Sequence, residues 1–446
     1  MEKNKIVDEI VKTITEKNIK FMRLQFSDLN GKIKSFAVST KEIENIIKNG
    51  QSFDGSSVTG FGDIEESDML VKPDVNTFVT IPWRPKEHAS ARMICDIYVP
   101  DGKRFEGDPR YIAQKISEKA KELGFVFNCA PEYEFFIFKK EPVAEPMDSG
   151  GYFDYHPAEM GEDLRREMAE IAEHFGIEIE VAHHEVAPGQ HELDFKYGNL
   201  LLTADRAVTL KAIIKGVANR RGYVASFMPK PIFGINGSGM HVHQSLWDIK
   251  ENWNAFFDKN NDHDYNLSDT ALHFIGGQIK YTKEMIAILA SWPNSYKRLV
   301  PGYEAPVHIA WGFRNRSPLL RVPDFGKRPN AARVEIRCPD PAGNTYLQLA
   351  VLCAVGLRGI KEKIAPPEPT DKNVYNMSFK ERRERGIDCL PDNLGYALRE
   401  FENSELMREI LGDVLFESFL QVKMNEWEEY SKQITDYELK RYLETL

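Results

Sequence analysis

Cysteine is scarce: the 446-residue chain carries five, Cys95, Cys129, Cys338, Cys353 and Cys389, and no two are spaced Cys-x-x-Cys. An odd, scattered set suits free thiols in a reducing compartment and argues against a disulfide framework. Long apolar runs are missing too. The longest mostly apolar stretch, Tyr346 to Leu357, falls well short of the roughly 20 residues that span a bilayer. Met1-Glu2-Lys3-Asn4-Lys5 offers no apolar segment for a secretory signal, so a cytoplasmic chain with no membrane partner is expected. Positive charge is not in excess either: Lys+Arg 58 against Asp+Glu 68 gives a net charge of -10. That balance argues against a general nucleic-acid binder, though a local arginine cluster could still hold ATP. With 42% hydrophobic and 28% charged residues the composition is that of an ordinary globular protein, not a disordered one.

Familiar signatures are absent as well. There is no G-x-x-x-x-G-K-[ST], and Gly234, Gly237 and Gly239 do not follow the dinucleotide-binding spacing. H-E-x-x-H is missing, and Pro188-Gly189 would break the helix that this zinc motif needs. No fixed-period repeat is visible.

What is present reads as α+β. Ile6, Ile10, Val11 and Ile14 recur at helical spacing, predicting an amphipathic helix over the first 17 residues. Residues 20–27 and 32–38 alternate as strands around Asn30-Gly31, a strong hairpin signal. A short helix at 41–48 and strands near 78–82 and 93–99 complete a β-rich domain of about 100 residues. Asp108-Pro109 supplies an N-cap and first-turn proline for a helix that runs to Leu123 and stops at Gly124. Strands at 125–138, 177–183, 191–196, 223–227, 240–247 and 331–338 then alternate irregularly with helices at 159–175, 203–221, 268–290, 344–364 and 415–445. That irregularity argues for α+β instead of repeated βαβ units. Ala365 to Pro369 reads as a rigid connector to a helical tail, and Glu381 to Arg385 as a solvated helix face.

Chemistry concentrates in five places. Glu132 and Glu134 share one face of an aromatic-rich strand, and two buried carboxylates side by side need cations or metal. An edge strand with one carboxylate exposed is the alternative, and it stays open. Segments on either side of Pro188-Gly189 look like paired strands, which could bring Glu185 near Glu192; an ordinary polar hairpin is the competing reading. His241 and His243 alternate after the glycine-rich Asn236-Gly237-Ser238-Gly239, where backbone can approach a ligand. Glu335 and Arg337 share a strand face. Arg298, Arg314, Arg316 and Arg321 lie among loop-forming residues, where guanidinium forks could meet phosphate or carboxylate, or form structural ion pairs. Together, carboxylates with one or two imidazoles and no clustered thiols suit Mg²⁺ or Mn²⁺ better than zinc. Many carboxylates with many arginines is what phosphoryl transfer requires.

Phe53-Asp-Gly-Ser-Ser57, Glu132-Tyr-Glu134, Asn236 to His243, Lys297 to Glu304 and Asn315-Arg-Ser317 together, in this order, resemble type I glutamine synthetase from end to end. The resemblance implies an N-terminal β-grasp domain over 1–103 and a catalytic domain over 104–446 with a curved antiparallel sheet flanked by helices. It implies ATP-dependent ligation of ammonia to L-glutamate through γ-glutamyl phosphate, with two or more Mg²⁺ or Mn²⁺ ions per site. It also implies a homo-dodecamer of two stacked hexamer rings with active sites between subunits. Carried over, Glu134, Glu185 and Glu192 would hold one metal, and Glu132, His241 and Glu335 a second. His243, Arg321 and Arg337 would approach ATP, with Arg337 also near substrate. Asn236, Gly237, Arg298 and Arg316 would position glutamate or its phosphate. Glu304 would be the flap carboxylate, Asp54 and Ser57 would serve the adjacent chain's site, and Tyr152 would line the ammonium pocket.

The chain lacks the extra segment of the adenylylated subgroup and resembles the shorter α-type, so modification at Tyr375 is not expected. Asp63 stands where the Gram-positive α-type carries an arginine for glutamine feedback, which puts that route in question. A small regulatory protein or a metabolite effector such as 2-oxoglutarate remains compatible with the resemblance. The rivals are a γ-glutamylpolyamine synthetase, a guanidino kinase and a non-catalytic homologue; intact Asp54, Ser57, Tyr152 and Glu304 positions favour ammonia.

Overall fold

A computed structural model of the chain describes residues 2–61, 67–142, 144–155, 160–258, 260, 265–326 and 328–446. Asp63, and with it the feedback position, lies outside them. Two sheets organise these residues, each over its own core.

The first sheet contains β1 (Phe21–Ser27), β2 (Ile33–Ser39), β3 (Gln51–Asp54), β4 (Asp68–Pro73), β5 (Val79–Thr80) and β6 (Ser90–Tyr98), in the order β2-β1-β6-β4-β3 with β5 against β6. Met22, Leu24 and Phe26 alternate inward from β1 and meet Ile10 and Ile14 of helix α1 (Glu2–Glu16) in one core. The β1–β2 hairpin forms as expected, but only Gly31 takes a positive φ, of 79°. The turn is closed by the Gly31 amide on the Asp28 carbonyl at 3.0 Å and by the Lys32 amide on the Asp28 carboxylate at 2.8 Å. The sequence reading missed β3 and β4. Only four residues long, β3 is too short to display its alternation. Between β2 and β3 lies α2 (Ile43–Asn49), where the short helix was expected.

The second sheet is built on β7 (Phe125–Lys139) and continues through β8 (Ile179–His184), β9 (Gln190–Phe195), β10 (Gly198–Asn199), β11 (Tyr223–Ser226), β12 (Val242–Asp248) and β13 (Trp253–Asn254). After the two-residue β14 (His308–Ile309), which pairs elsewhere, come β15 (Trp311–Phe313), β16 (Leu320–Val322) and β17 (Val334–Ile336). The main path is β15-β16-β17-β12-β7-β9-β8, so β7 is a central strand and the edge-strand alternative for Glu132 and Glu134 falls. Pairing is antiparallel throughout except between β15 and β16, which makes the sheet mixed.

Helices pack against this sheet: α3 (Pro109–Glu122), α4 (Met160–His174), α5 (Leu200–Arg220), α6 (Asp269–Lys280) and α7 (Thr282–Leu289). The single helix expected over 268–290 is therefore two, separated at Tyr281, which leaves helical geometry at φ -98°, ψ 9°. Next come the one-turn α8 (Ser295–Arg298) and the apolar α9 (Thr345–Glu362). Helix α6 crosses α9 so closely that a Cβ on Gly277 would lie 2.8 Å from the Gly359 Cα. Then α10 (Phe379–Glu384), which carries most of the charged run 381–385 with no buried residue, precedes α11 (Leu394–Glu402) and α12 (Glu405–Leu411), both missed from sequence. The tail is α13 (Asp413–Ser431) and α14 (Asp436–Tyr442), not one helix over 415–445; Thr435 and Glu438 form a capping box that starts the second piece. No helix is long and apolar enough to cross a membrane among the described residues.

Candidate active site

Strand register assembles the site. Across β7 and β9, Glu132 faces Asp194 and Glu134 faces Glu192; across β9 and β8, Glu192 faces His183. On the other side of β7, His243 of β12 faces Glu335 of β17, which faces Arg321 of β16. Residues directly opposite in paired strands point to the same face. Six neighbouring strands thus deliver their polar side chains to one side of the sheet while Tyr133 and Phe135 fill the core on the other.

These side chains line a cavity of about 380 Å³. Of the residues expected in the site, Glu132, Glu134, Glu185, Glu192, His241 and Glu335 all line it. So do Tyr152, Asn236, Gly237, Arg298, Glu304, Arg316, Arg321 and Arg337. His243 stands one contact behind, its Nε2 2.7 Å from Glu132 Oε1 and its Nδ1 accepting from Arg333 Nε at 3.3 Å. Asp54 and Ser57 are exposed at the end of β3 and do not line the cavity of their own chain. Asp54 accepts from the Ser56 hydroxyl at 2.7 Å and the Ser56 amide at 2.9 Å, and these bonds hold its pKa below the ordinary carboxylate value.

Electrostatics divides the cavity in two. Burial would push Glu132 up, but bonds from His241 (2.9 Å) and His243 (2.7 Å) hold its pKa well below the ordinary value. Glu335, 3% exposed, is likewise held low against burial by His243, His241 and Arg337. On the β8–β9 side the balance reverses. Burial, then the charge of Glu134, raises Glu185 to about 7; burial with Glu134, Glu132 and Glu185 raises Glu192 to about 10. Asp194 is pushed up to about 10 by burial and Glu192. Protein cations are too few there to compensate the carboxylates, and a bound divalent cation would supply what is missing.

The donor geometry fits such ions. Ligand atoms of Glu132, His241 and Glu335 lie within 4.8 Å of one another, as do those of His183, Glu185 and Glu192. Glu134 borders both sets: its Oε1 is 3.9 Å from His241 Nε2, while its Oε2 accepts from Gln190 Nε2 and the Gly239 amide, each at 2.9 Å. A third set, Asp148, His184 and His191, lies behind the β8–β9 turn. There Asp148 Oδ1 takes the His184 ring at 2.9 Å and the Gly189 amide at 2.8 Å, which braces the turn from beneath.

The arginines are ordered by this framework. Arg321 Nη1 lies 2.7 Å and Arg337 Nε 3.2 Å from Glu335. Arg298 is buried and donates to the carbonyls of Arg337, Cys338 and Pro339 at 3.0–3.2 Å. Arg314 turns away to pair with Asp324. Glu304 accepts from Asn236 Nδ2 at 3.1 Å, and the Tyr375 hydroxyl donates to the next carbonyl, Ala305, at 2.7 Å. Sequence reasoning assigned no role to His183, Gln190, Asp194, Tyr303 or Arg333. The two-residue step from Glu192 to Gln190 and Asp194 was a usable signal; His183 and Tyr303 had none.

The family model "Glutamine synthetase, catalytic domain" matches residues 106–442 and "Glutamine synthetase, beta-Grasp domain" matches 18–100. A glutamine synthetase of Methanosarcina mazei is 47% identical over 450 residues, covering 100% of this chain and 99% of the relative. One of Thermotoga maritima is 46% identical over 98% of this chain and 99% of its own. A solved structure described as "GmaS/ADP complex-Conformation 1" superposes with a TM-score of 0.88 at 30% identity, over 97% of this chain and 99% of that one. Plasmodium falciparum glutamine synthetase superposes at 0.87 with 24% identity, over 98% of each chain, a likeness of fold alone.

Proposed function

The chain belongs to the glutamine synthetase family, a glutamate–ammonia ligase by that kinship, and from this premise we propose that the carboxylate-lined cleft is where it makes glutamine from glutamate, ammonia and ATP. The observation that carries the assignment is the convergence of Glu132, Glu134, Glu185, Glu192 and Glu335 with His241 on one cavity faced by four arginines. A fold neighbour described with ADP supports a nucleotide site on this scaffold.

Glu132, His241 and Glu335 would hold one divalent cation, and Glu185 and Glu192 with Glu134 a second; the oxygen-rich donors favour Mg²⁺ or Mn²⁺. Ions bound there would supply positive charge for the phosphate oxygens and ease charge build-up during transfer. The chain's own residues do the remainder. Arg316, Arg321 and Arg337 stabilise charge on the transferring phosphoryl group, and His243 with Arg337 orients ATP. Asn236, Gly237 and Arg298 hold glutamate so that a γ-carboxylate oxygen attacks the γ-phosphorus and ADP departs. Glutamate's carboxylate, a poor electrophile, thereby becomes an acyl phosphate. Ammonium has no lone pair to attack with; Asp54 with Ser57 of a neighbouring copy, brought to the Tyr152 side of the cleft, binds it and takes a proton. Ammonia then adds to the acyl carbon and phosphate leaves. Glu304 closes the cleft against water and adds negative charge that draws ammonium.

We assign residues 1–103 to the β-grasp domain and 104–446 to the catalytic domain. Because Asp54 and Ser57 stand outside their own chain's cavity, a ring assembly in which each cleft is completed by a neighbour accounts for them, and a cytoplasmic dodecamer is the form proposed. The Tyr375 hydroxyl, engaged with Ala305, supports an unmodified tyrosine. Phosphate release from ATP and glutamate, assayed with ammonium, methylamine and a polyamine under Mg²⁺, Mn²⁺ or EDTA, tests the assignment. Ion-dependent glutamine formation with ammonium is expected. Preference for a larger amine would move the enzyme to a γ-glutamyl-amine ligase, and turnover in EDTA would sink the cation reading.

A further inference from the structure

Lys230 is 8% exposed, and among the described residues its ammonium meets no carboxylate. It donates to the Ile235 carbonyl and sits 3.6 Å from the centroid of the Tyr303 ring. Its backbone is locked on both sides: the Lys230 amide donates to Asn294 Oδ1 at 2.8 Å, and Asn294 Nδ2 donates to the Lys230 carbonyl at 3.0 Å. The loop carrying Asn236 and Gly237 is laid directly over this turn. Ser238 donates its amide to the Pro229 carbonyl at 2.8 Å, and a Cβ on Gly237 would stand 2.1 Å from that oxygen.

Tyr303 belongs to the segment that covers the cleft, and that segment needs holding. Gly302 and Glu304 have φ of 97° and 58°, and a non-glycine residue in the left-handed region persists only where its surroundings fix it. Three contacts do so: Asn236 on the Glu304 carboxylate, Tyr375 on the Ala305 carbonyl, and Lys230 on the Tyr303 ring. Lys230 and Asn236 both join the loop to the cover: Asn236 reaches Glu304 from within the loop, and Lys230 holds the Ile235 carbonyl and the Tyr303 ring at once.

We propose that Lys230 is a positioning residue, a latch whose buried ammonium ties the 301–305 cover to the Ile235–Gly237 loop so that glutamate seating and closure occur together. A desolvated cation over an aromatic face is among the stronger forms of this contact. The inference rests on the reading of the cleft given above. Its chemical consequence is a partition. Ammonia attacking γ-glutamyl phosphate yields glutamine and phosphate; water attacking the same carbon returns glutamate and phosphate. A loose cover shifts the second against the first.

Lys230→Met and Tyr303→Leu each remove the contact, and Tyr303→Phe keeps the ring. We expect phosphate released per glutamine at limiting ammonium to rise about fivefold or more in the first two, with the KM for ATP unmoved. Tyr303→Phe should restore coupling, and the Lys230→Met/Tyr303→Leu double variant should be no worse than either single change. Hydrogen exchange of the 302–305 amides, read without substrate, should quicken about tenfold in both loss variants. Unchanged exchange in a folded loss variant would overturn the latch, as would additive defects in the double variant. The exchange measurement decides the latch even if the wild-type chain formed no glutamine; should Lys230→Met fail to fold, the Tyr303 pair still decides it.

Discussion

Glu132 is the residue on which the two halves of the cavity turn, because both imidazoles of the β12 side bond to it and Asp194 of β9 faces it. Removing it frees His241 and His243 and leaves Glu335 with fewer constraints. We therefore expect Glu132→Ala to raise the Mg²⁺ concentration for half-maximal activity about tenfold or more, a range familiar from disrupted metal surroundings. An unchanged Mg²⁺ titration would remove Glu132 from the ligand set. Outside the residues that line the cleft, Lys211 carries a different signature. Its ammonium donates to the Pro341 carbonyl at 2.6 Å, yet burial, then the neighbouring charge of Lys215, lowers its pKa from 10.5 to about 7. Between those values the unfolded chain binds a proton that the folded chain does not. Stability from this group therefore rises with pH from about 7 towards 10.5, and its penalty is fully present below 7. Chemical denaturation at pH 7 and pH 9 should show the wild type gaining on the order of 2 kcal/mol more than Lys211→Met. Parallel profiles would contradict it. At this scale most of the site was legible, since Glu132, Glu134, His241, His243 and Glu335 sit at two-residue steps on strands. His183 and Tyr303 were not, because what gives each its role is a partner distant in sequence.

The β8–β9 hairpin carries Glu185 and Glu192 to the cleft, and its turn depends on Gly189. That residue has a φ of 66°, and a Cβ there would lie 2.8 Å from the Ile137 carbonyl of β7. The turn cannot back away, because the Gly189 amide is bonded to Asp148 and Gln190 spans from Glu134 to the Gly237 carbonyl. Gly189→Ala should thus cost about 1–2 kcal/mol and also separate the two carboxylates. A lowered Tm together with weaker Mg²⁺ dependence of activity is the expected result; a variant unchanged in both would show that the turn has slack. The hairpin was legible because Pro-Gly punctuates two alternating runs. The strand pairing that sets Glu134 opposite Glu192 was not, since register between segments far apart in the chain leaves no local trace. Helix breaks divide the same way. The one before α14 is written in the Thr435–Glu438 capping box, whereas the one at Tyr281 has no glycine or proline to announce it.

Across the whole molecule, the first sheet is fixed to the second by Arg110 of α3. Its guanidinium reaches Asp74 at 2.8 Å and Asp96 at 2.5 Å on one side and Asp205 of α5 at 2.8 Å on the other. Asn344 adds bonds to the Asp28 and Leu29 carbonyls, both at 3.1 Å. So anchored, the β-grasp region presents Asp54 to solvent and away from the cavity its own chain lines. If Asp54 supplies the ammonium subsite, it must do so for another copy, and closed rings are the economical way for every copy to both give and receive. Asp54→Ala should still form acyl phosphate but amidate poorly at limiting ammonium, while Glu132→Ala, at Mg²⁺ just sufficient for the wild type, should fail at the metal–ATP stage. Co-expressing the two with different tags and isolating mixed assemblies puts intact clefts beside intact Asp54 loops. With random mixing about a quarter of the sites would pair a sound cleft with a sound loop, so glutamine formation at limiting ammonium should recover towards that fraction of the wild-type rate. A cleft served by its own chain's Asp54 allows no such recovery, because every subunit in the mixture carries one defect. Mixed assemblies no more active than the average of the two parents would therefore return Asp54 to its own chain and remove the reason for a shared site.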